Sequence, residues 1–242
     1  MRYLIIILLL FSCNNKQDNV KSFEDYLGKD KAESLNLAIS AWDNFVNINR
    51  GSKSVTDFSK GFLKKLMLMD SWDSLDKWSV DCKQFEKVID EINETDLRKE
   101  FWMYSNETYD DNEVIQYYMD VKFKDYSNEP FDTIKHNDDF EEILAVPESE
   151  DNPIKFDEPR IRRQSSLHSR IISGIHKYCN EEVIRQGAEI TIEVGNLSPN
   201  IVIGGLLENK ERVDFSSYFT KAYIVQTIFY DFMNSNTCKN SK

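Results

Sequence analysis

Residues 214–234 read DFSSYFTKAYIVQTIFYDFMN, and this stretch decides the fold class. Phe215, Tyr218, Phe219, Ala222, Val225, Phe229 and Phe232 recur at steps of three and four, the repeat of a helical face. Apolar side chains fill much of the remaining circumference, so this helix must be enclosed on most sides. Other helices have to supply the enclosure.

They are legible upstream. Leu35, Ala38, Ile39, Trp42, Phe45 and Val46 form one stripe from about Lys31 to Asn49. Arg50-Gly51-Ser52 breaks it, and Ser54, with Asp57 three residues on, offers a near capping box. Val55, Phe58, Phe62, Leu66 and Met69 then continue the stripe as an antiparallel partner. Further helices are expected near Val80–Ile92 and Asp96–Tyr104, separated by the cap-rich NETD. Helix is expected again from Arg160 through Leu167, Ile171, Ile175 and Tyr178. In LSPN, Ser198 suits a cap and Pro199 the first helical position, where no backbone donor is lost. Trp72, Leu75 and Trp78 follow one another at threes and read as packing. The expected fold is mainly α, an irregular multi-helix bundle around the buried C-terminal helix. YMDVKFKDY (118–126) and EITIEV (189–194) alternate as strands do and leave room for a two-stranded sheet as a minor feature.

The N-terminus is an address and not a span. Leu4–Phe11 supplies eight apolar residues, where a membrane crossing needs about 20. Arg2, the short apolar run and Leu10-Phe11-Ser12-Cys13 resemble a bacterial lipobox, in which the cysteine thiol is acylated and residues 1–12 are removed. Residues 13–29 read as a polar tether and 30–242 as one helical domain. The resemblance makes Cys13 the lipidation site and acyl chains the contact with membrane. It places the chain in a Gram-negative cell envelope, with the periplasmic face of the outer membrane as the default; Asn14 and Asp18 make no strong surface-export signal.

Removing residues 1–12 leaves 29 basic against 42 acidic residues, a net charge of −13. Such a surface argues against nucleic acid, whose phosphates need Lys and Arg. Twelve acidic residues and only Lys135 and Lys155 fall between Asp125 and Glu158, and four of the five prolines lie there or at its border. Proline and like charge both oppose regular packing, so about 125–159 reads as a surface excursion. Cys82, Cys179 and Cys238 are an odd number with wide spacing, which leaves any disulfide open. Cys179 shares a helical face with Ile171, Ile172 and Ile175 and reads as a buried thiol.

GNLSPNIVIGGLL (195–207) and FTKAYIVQTIFYDFM (219–233), with LNLAISAWDNFVN (35–47) and VTDFSKGFLKKL (55–66), look like the two ends of an uncharacterised family of helical lipoproteins from the Bacteroidota. The resemblance implies compartment and an all-helical fold and lends no catalytic residues.

The familiar zinc-protease, serine-hydrolase, phosphate-loop and dinucleotide motifs do not occur in the sequence. Gly204-Gly205 reads as a point of close helix approach. His168 and His176, eight residues apart, would lie about 80° apart on one helix, so joint chelation is unfavourable. His136 sits in the acidic stretch without calcium-loop spacing. No catalytic residue, metal or cofactor is expected. Arg160, Arg162, Arg163 and Arg170 follow the acidic stretch; they either pair with carboxylates of the chain or form an anion- or partner-binding site. The expected role is a membrane-anchored interaction module with an envelope protein as partner. An envelope hydrolase using acidic residues and an outer-membrane scaffold are the alternatives.

Overall fold

The computed structural model describes residues 17–68, 78–123, 163–195 and 197–238. Helix α1 covers residues 17–27, followed by α2 (Lys29–Arg50), α3 (Val55–Met67), α4 (Cys82–Glu94) and the single turn α5 (Arg98–Phe101). Strand β1 (Trp102–Tyr104), α6 (Asn112–Lys122) and β2 (Arg163–Ser165) come next. The C-terminal part holds α7 (Arg170–Tyr178), α8 (Glu182–Val194) and α9 (Pro199–Glu208). It ends in one continuous helix made of α10 (Tyr218–Ile224), a π segment (Val225–Phe229) and α11 (Tyr230–Ser235). The fold is mainly α.

The terminal helix is the axis, as its pattern requires. Ile224, Val225, Ile228, Phe229 and Met233 are fully buried. Around it stand α2, α4, α7, α8 and α9. The centre is aromatic: Trp42 meets Phe229 edge-on at 5.0 Å, Phe45 meets Phe62 at 5.0 Å, and Phe62 meets Phe232 at 5.2 Å. Rings at these distances and tilts add attraction beyond the area they bury. Trp78 packs on Phe62 and Phe232, as the spacing suggested. The caps come from short polar side chains: Ser54 accepts from the Asp57 N–H, Asp81 from Gln84, Asp111 from Val114, Ser169 from Ile172 and Ser217 from Thr220. Each satisfies a backbone donor that the first turn leaves open. Ser198 holds the expected cap position ahead of Pro199, without a side-chain bond.

The structure departs from the sequence reading in several places. Residues 17–27 are helical, where a tether was expected up to residue 29. Val20, Phe23 and Leu27 recur at three and four, and Phe23 is fully buried against Phe219 at 5.4 Å. The folded domain therefore begins by residue 17 and not at 30. Gly28, at φ 82°, gives the turn into α2 a left-handed conformation that a β-carbon would disfavour. Neither alternation forms a strand among the described residues: α6 covers residues 118–122 of the first segment and α8 the whole of the second. Helix periodicity through Val114, Tyr118 and Val121, and through Ile184, Ala188 and Ile192, outweighs their short alternation. The strand pair is made instead by β1 and β2, antiparallel, with Trp102 opposite Ser165 and Tyr104 opposite Arg163. β1 shortens the helix expected over Asp96–Tyr104, and β2 delays the one expected at Arg160 to Arg170. The terminal helix starts at Tyr218, because Asp214 and Ser216 form a turn through the Asp214 carboxylate.

The glycine reading is also corrected. A β-carbon at Gly204 or Gly205 would meet nothing within 4 Å. The close approaches are at Gly174, where it would sit 2.7 Å from the Phe23 ring, and at Gly187, 2.9 Å from the Tyr223 hydroxyl. Residues 1–12, Cys13, Trp72, Leu75, His136 and the acidic stretch lie outside the described residues.

Candidate functional site

A cavity of about 310 Å³ opens where β1, α6, α8 and the π segment converge. Phe101, Trp102 and Tyr230 give it an aromatic wall, and Ser166, Thr191 and Gln226 bring polar atoms. The π segment is the positioning device. A π turn takes one more residue than an α turn, and such segments recur at functional sites. Here it lies on the otherwise apolar run of the terminal helix and carries its two polar residues, Gln226 and Thr227.

Three hydroxyls at this cavity direct their protons to backbone carbonyls. Thr227 Oγ1 donates to the Tyr223 carbonyl at 2.6 Å, Thr191 Oγ1 to the Gly187 carbonyl at 2.8 Å, and Ser166 Oγ to the His168 carbonyl at 2.5 Å. Tyr118 donates to the Ser169 carbonyl at 3.3 Å and accepts from the Ser169 N–H at 3.0 Å. Burial raises the Tyr118 phenol well above its ordinary range and pushes that of Tyr223 up to about 12. The Trp102 indole N–H donates to the Tyr230 hydroxyl at 2.6 Å. Gln226 Nε2 donates to the Glu100 carbonyl at 2.7 Å, which fixes its amide. Gln226 Oε1 is shielded from solvent and has no hydrogen-bond partner among the described residues. Hydroxyls whose protons are committed to carbonyls can offer only lone pairs to a ligand.

On the other side of α5, the Glu100 side chain enters a second polar group. It is 1% exposed. It takes the Lys31 ammonium at 2.5 Å, the Tyr109 hydroxyl at 2.9 Å and the Arg170 backbone N–H at 2.5 Å. Arg170 closes the group: Nε and Nη2 clasp the two Asp111 oxygens at 2.7 and 2.9 Å, Nη2 also reaches Glu113 at 2.9 Å, and Nη1 reaches the Tyr26 carbonyl at 2.8 Å. The Asp111 bonds raise the Arg170 pKa further, although burial alone would lower it.

For Arg170, the arrangement favours the first of the two arginine readings, pairing with carboxylates of the chain. Arg170 does not offer its guanidinium to an outside anion, because Asp111, at the start of α6, occupies the bidentate face. Arg163 lies in β2 opposite Tyr104, and Arg160 and Arg162 lie outside the described residues. The four arginines are thus not brought together as a site by what is described.

The remaining candidates are placed as follows. His168 precedes α7, against Tyr109 and Tyr118, and burial lowers its pKa. His176 lies on α7 with Nδ1 at 2.9 Å from the Tyr117 hydroxyl. Among the described residues, no group of three or more His, Cys, Asp or Glu side chains is placed to hold a metal. Cys179 is a buried free thiol, while Cys82 and Cys238 form a disulfide.

The cavity was not foreseen from the sequence. Its one visible signal is the pair Gln226-Thr227 inside YIVQTIFY, since polar residues on the buried side of a core helix need a reason. Among the described residues no helix is long and apolar enough to cross a membrane. No family model matches the chain, and no curated protein or solved structure does so either.

Proposed function

We propose that this protein is a cell-envelope lipoprotein, acylated on Cys13, whose helical domain serves as an interaction module held close to the bilayer. The observation that carries this reading is the Cys82–Cys238 disulfide, since such bonds persist in oxidising compartments outside the cytoplasm. It agrees with export directed by Leu10-Phe11-Ser12-Cys13. The start of α1 adds a geometric consequence. Four residues from Cys13 to Gln17 reach at most about 14 Å, so the α1 end of the domain lies near the lipid headgroups. Two or more acyl chains hold a protein firmly where one does so marginally.

The partner is a protein with a basic contact face, because the mature chain carries a net charge of −13 and that charge is concentrated in residues 125–158. Metabolic labelling with palmitate tests the anchor: wild type takes the label and Cys13→Ala does not, and labelling that persists in the variant overturns it. Pull-down from envelope extract with and without residues 125–158 tests the module. Loss of a specific partner with the deletion supports it, and identical partner sets speak against it.

A further inference from the structure

We infer that a second cavity, between the start of α1 and the start of the terminal helix, seats an acyl chain carried by Cys13. The inference rests on the lipoprotein reading above and says where part of that anchor lies. The cavity measures about 400 Å³ and its walls are mainly apolar. Val20 of α1 and Tyr218 and Phe219 of α10 line it, with Asn180 and Glu181 from the turn between α7 and α8. Most of the lining residues are polar by type, and their bonds within the protein explain the apolar surface. Asp214 Oδ1 takes the Ser216 N–H at 3.0 Å and the Ser216 hydroxyl at 2.5 Å. Glu181 Oε2 accepts from the Thr220 hydroxyl at 3.1 Å, and Ser217 Oγ from the Thr220 N–H at 3.2 Å. The Tyr218 hydroxyl donates to Asn36 Oδ1 at 2.9 Å, which leaves its ring to the cavity.

Apolar walls favour an alkyl chain that displaces water from them. The charges choose between sources of such a chain. Glu181 and Asp214 are in the lining, and no Lys, Arg or His is among the described lining residues. They would repel the carboxylate of a free fatty acid, whereas a chain joined to cysteine through an ester or amide carries no charge. The tether supplies the second argument. Gln17 is itself in the lining, and Cys13, four residues earlier, is at most about 14 Å of extended chain away. A chain so held meets the cavity at an effective concentration on the order of millimolar, and each methylene it buries tightens the seat about fourfold. With a diacylglyceryl group on the thiol and a further chain on the amine, one chain enters the cavity while two stay in the bilayer, where two suffice. The occupied cavity then orients the domain on the membrane through α1 and α10.

The experiment is intramolecular photo-cross-linking. Cells expressing the full-length protein are fed a palmitate analogue with a diazirine near its chain end. The purified protein is irradiated in detergent, and its tryptic peptides are read by mass spectrometry. The expected product joins the acylated Cys13 peptide to residues 17–21 or 213–221. Asn180→Trp and Ser216→Trp fill the cavity from opposite sides and should each lower the yield at least tenfold with label uptake unchanged. Ile201→Trp, exposed and outside the lining, should leave the yield as in wild type. Thermal melts establish that the variants are folded. Label uptake without these cross-links would overturn the inference and leave the anchor standing. So would equal yields in folded filled variants, or cavity peptides joined to phospholipid instead of to the Cys13 peptide. Wild type that takes up no label would overturn the anchor itself, and the acyl seat with it.

Discussion

Cys82, the first residue of α4, is bonded through sulfur to Cys238, just past α11, 156 positions away in sequence and 5.0 Å away between Cα atoms. The bond pins the end of the central helix to the helix packed beside it. A loop of that length, closed in the unfolded chain, corresponds to about 5 kcal/mol in the chain-entropy account, and measured losses usually fall at about 2–5 kcal/mol. Cys82→Ser with Cys238→Ser should therefore lower the unfolding free energy read from urea titration by about 2–5 kcal/mol, with a lower midpoint, and reduction of wild type should reproduce it. A midpoint unmoved by reductant would show that the bond contributes nothing.

Glycine substitutions separate the crowded helix contacts from the open ones. At Gly174 an added β-carbon would lie 2.7 Å from two atoms of the Phe23 ring, inside the docking face of α1. Gly174→Ala should cost about 1–3 kcal/mol, as overpacked sites do. Gly204→Ala and Gly205→Ala enter open space within α9 and should stabilise by about 0.5–1 kcal/mol through helix propensity alone. Chemical denaturation of the three variants gives the comparison, and equal effects would refute the assignment of Gly174 as the contact.

These same glycines show where sequence reading stops. The stripe through Leu35, Trp42 and Phe45 and the pattern through Phe219, Phe229 and Phe232 are written in one-dimensional spacing, so the bundle and its central helix were legible. The contact of Phe23 with Gly174 joins residues about 150 apart, and nothing local in either segment announces it. α6 and α8 were ambiguous because a short run can satisfy both the two-residue and the 3.6-residue repeat; the packing of Tyr118 and Ile192 decided between them. Gln226 belongs to the same class. Its polarity was visible, but the cavity it faces is assembled from β1, α6 and α8, whose convergence is tertiary.

Acid should withdraw the stabilisation that the α5–β1 corner contributes. Arg98 clasps Glu107 through both oxygens and the Tyr104 N–H adds a third bond, which together hold the Glu107 pKa down to about 2. Burial pushes Asp111 up, but the Arg170 fork and the Val114 N–H outweigh it, so its pKa also ends below the ordinary value. Both are depressed in the folded state, so the unfolded chain takes up protons first as pH falls. Their stabilisation is complete above the unfolded value of about 4.3 for Glu and 3.9 for Asp. It is lost as pH falls through the depressed folded values, for Glu107 towards 2. Melts of wild type and Glu107→Gln from pH 6 to 2 should differ most at the upper end and converge at the lower. A gap that widens on acidification would contradict the sign.

Cys179 supplies a test of the core that needs no loss of structure. Its side chain is buried at the end of α7, and burial pushes the thiol pKa up to about 12, outweighing the Glu181 N–H bond that works to lower it. The thiolate is the reactive form, so both access and ionisation oppose modification. At pH 8, iodoacetamide should leave Cys179 of the native protein unmodified for hours and alkylate it fully within minutes in denaturant, with Cys82 and Cys238 protected by their disulfide until reductant is added. Mass spectrometry of tryptic peptides reads each site separately. Rapid native labelling would mean that α7 and α8 open locally, and the rate under the Gly174→Ala substitution would then report whether the α1 docking face holds them shut.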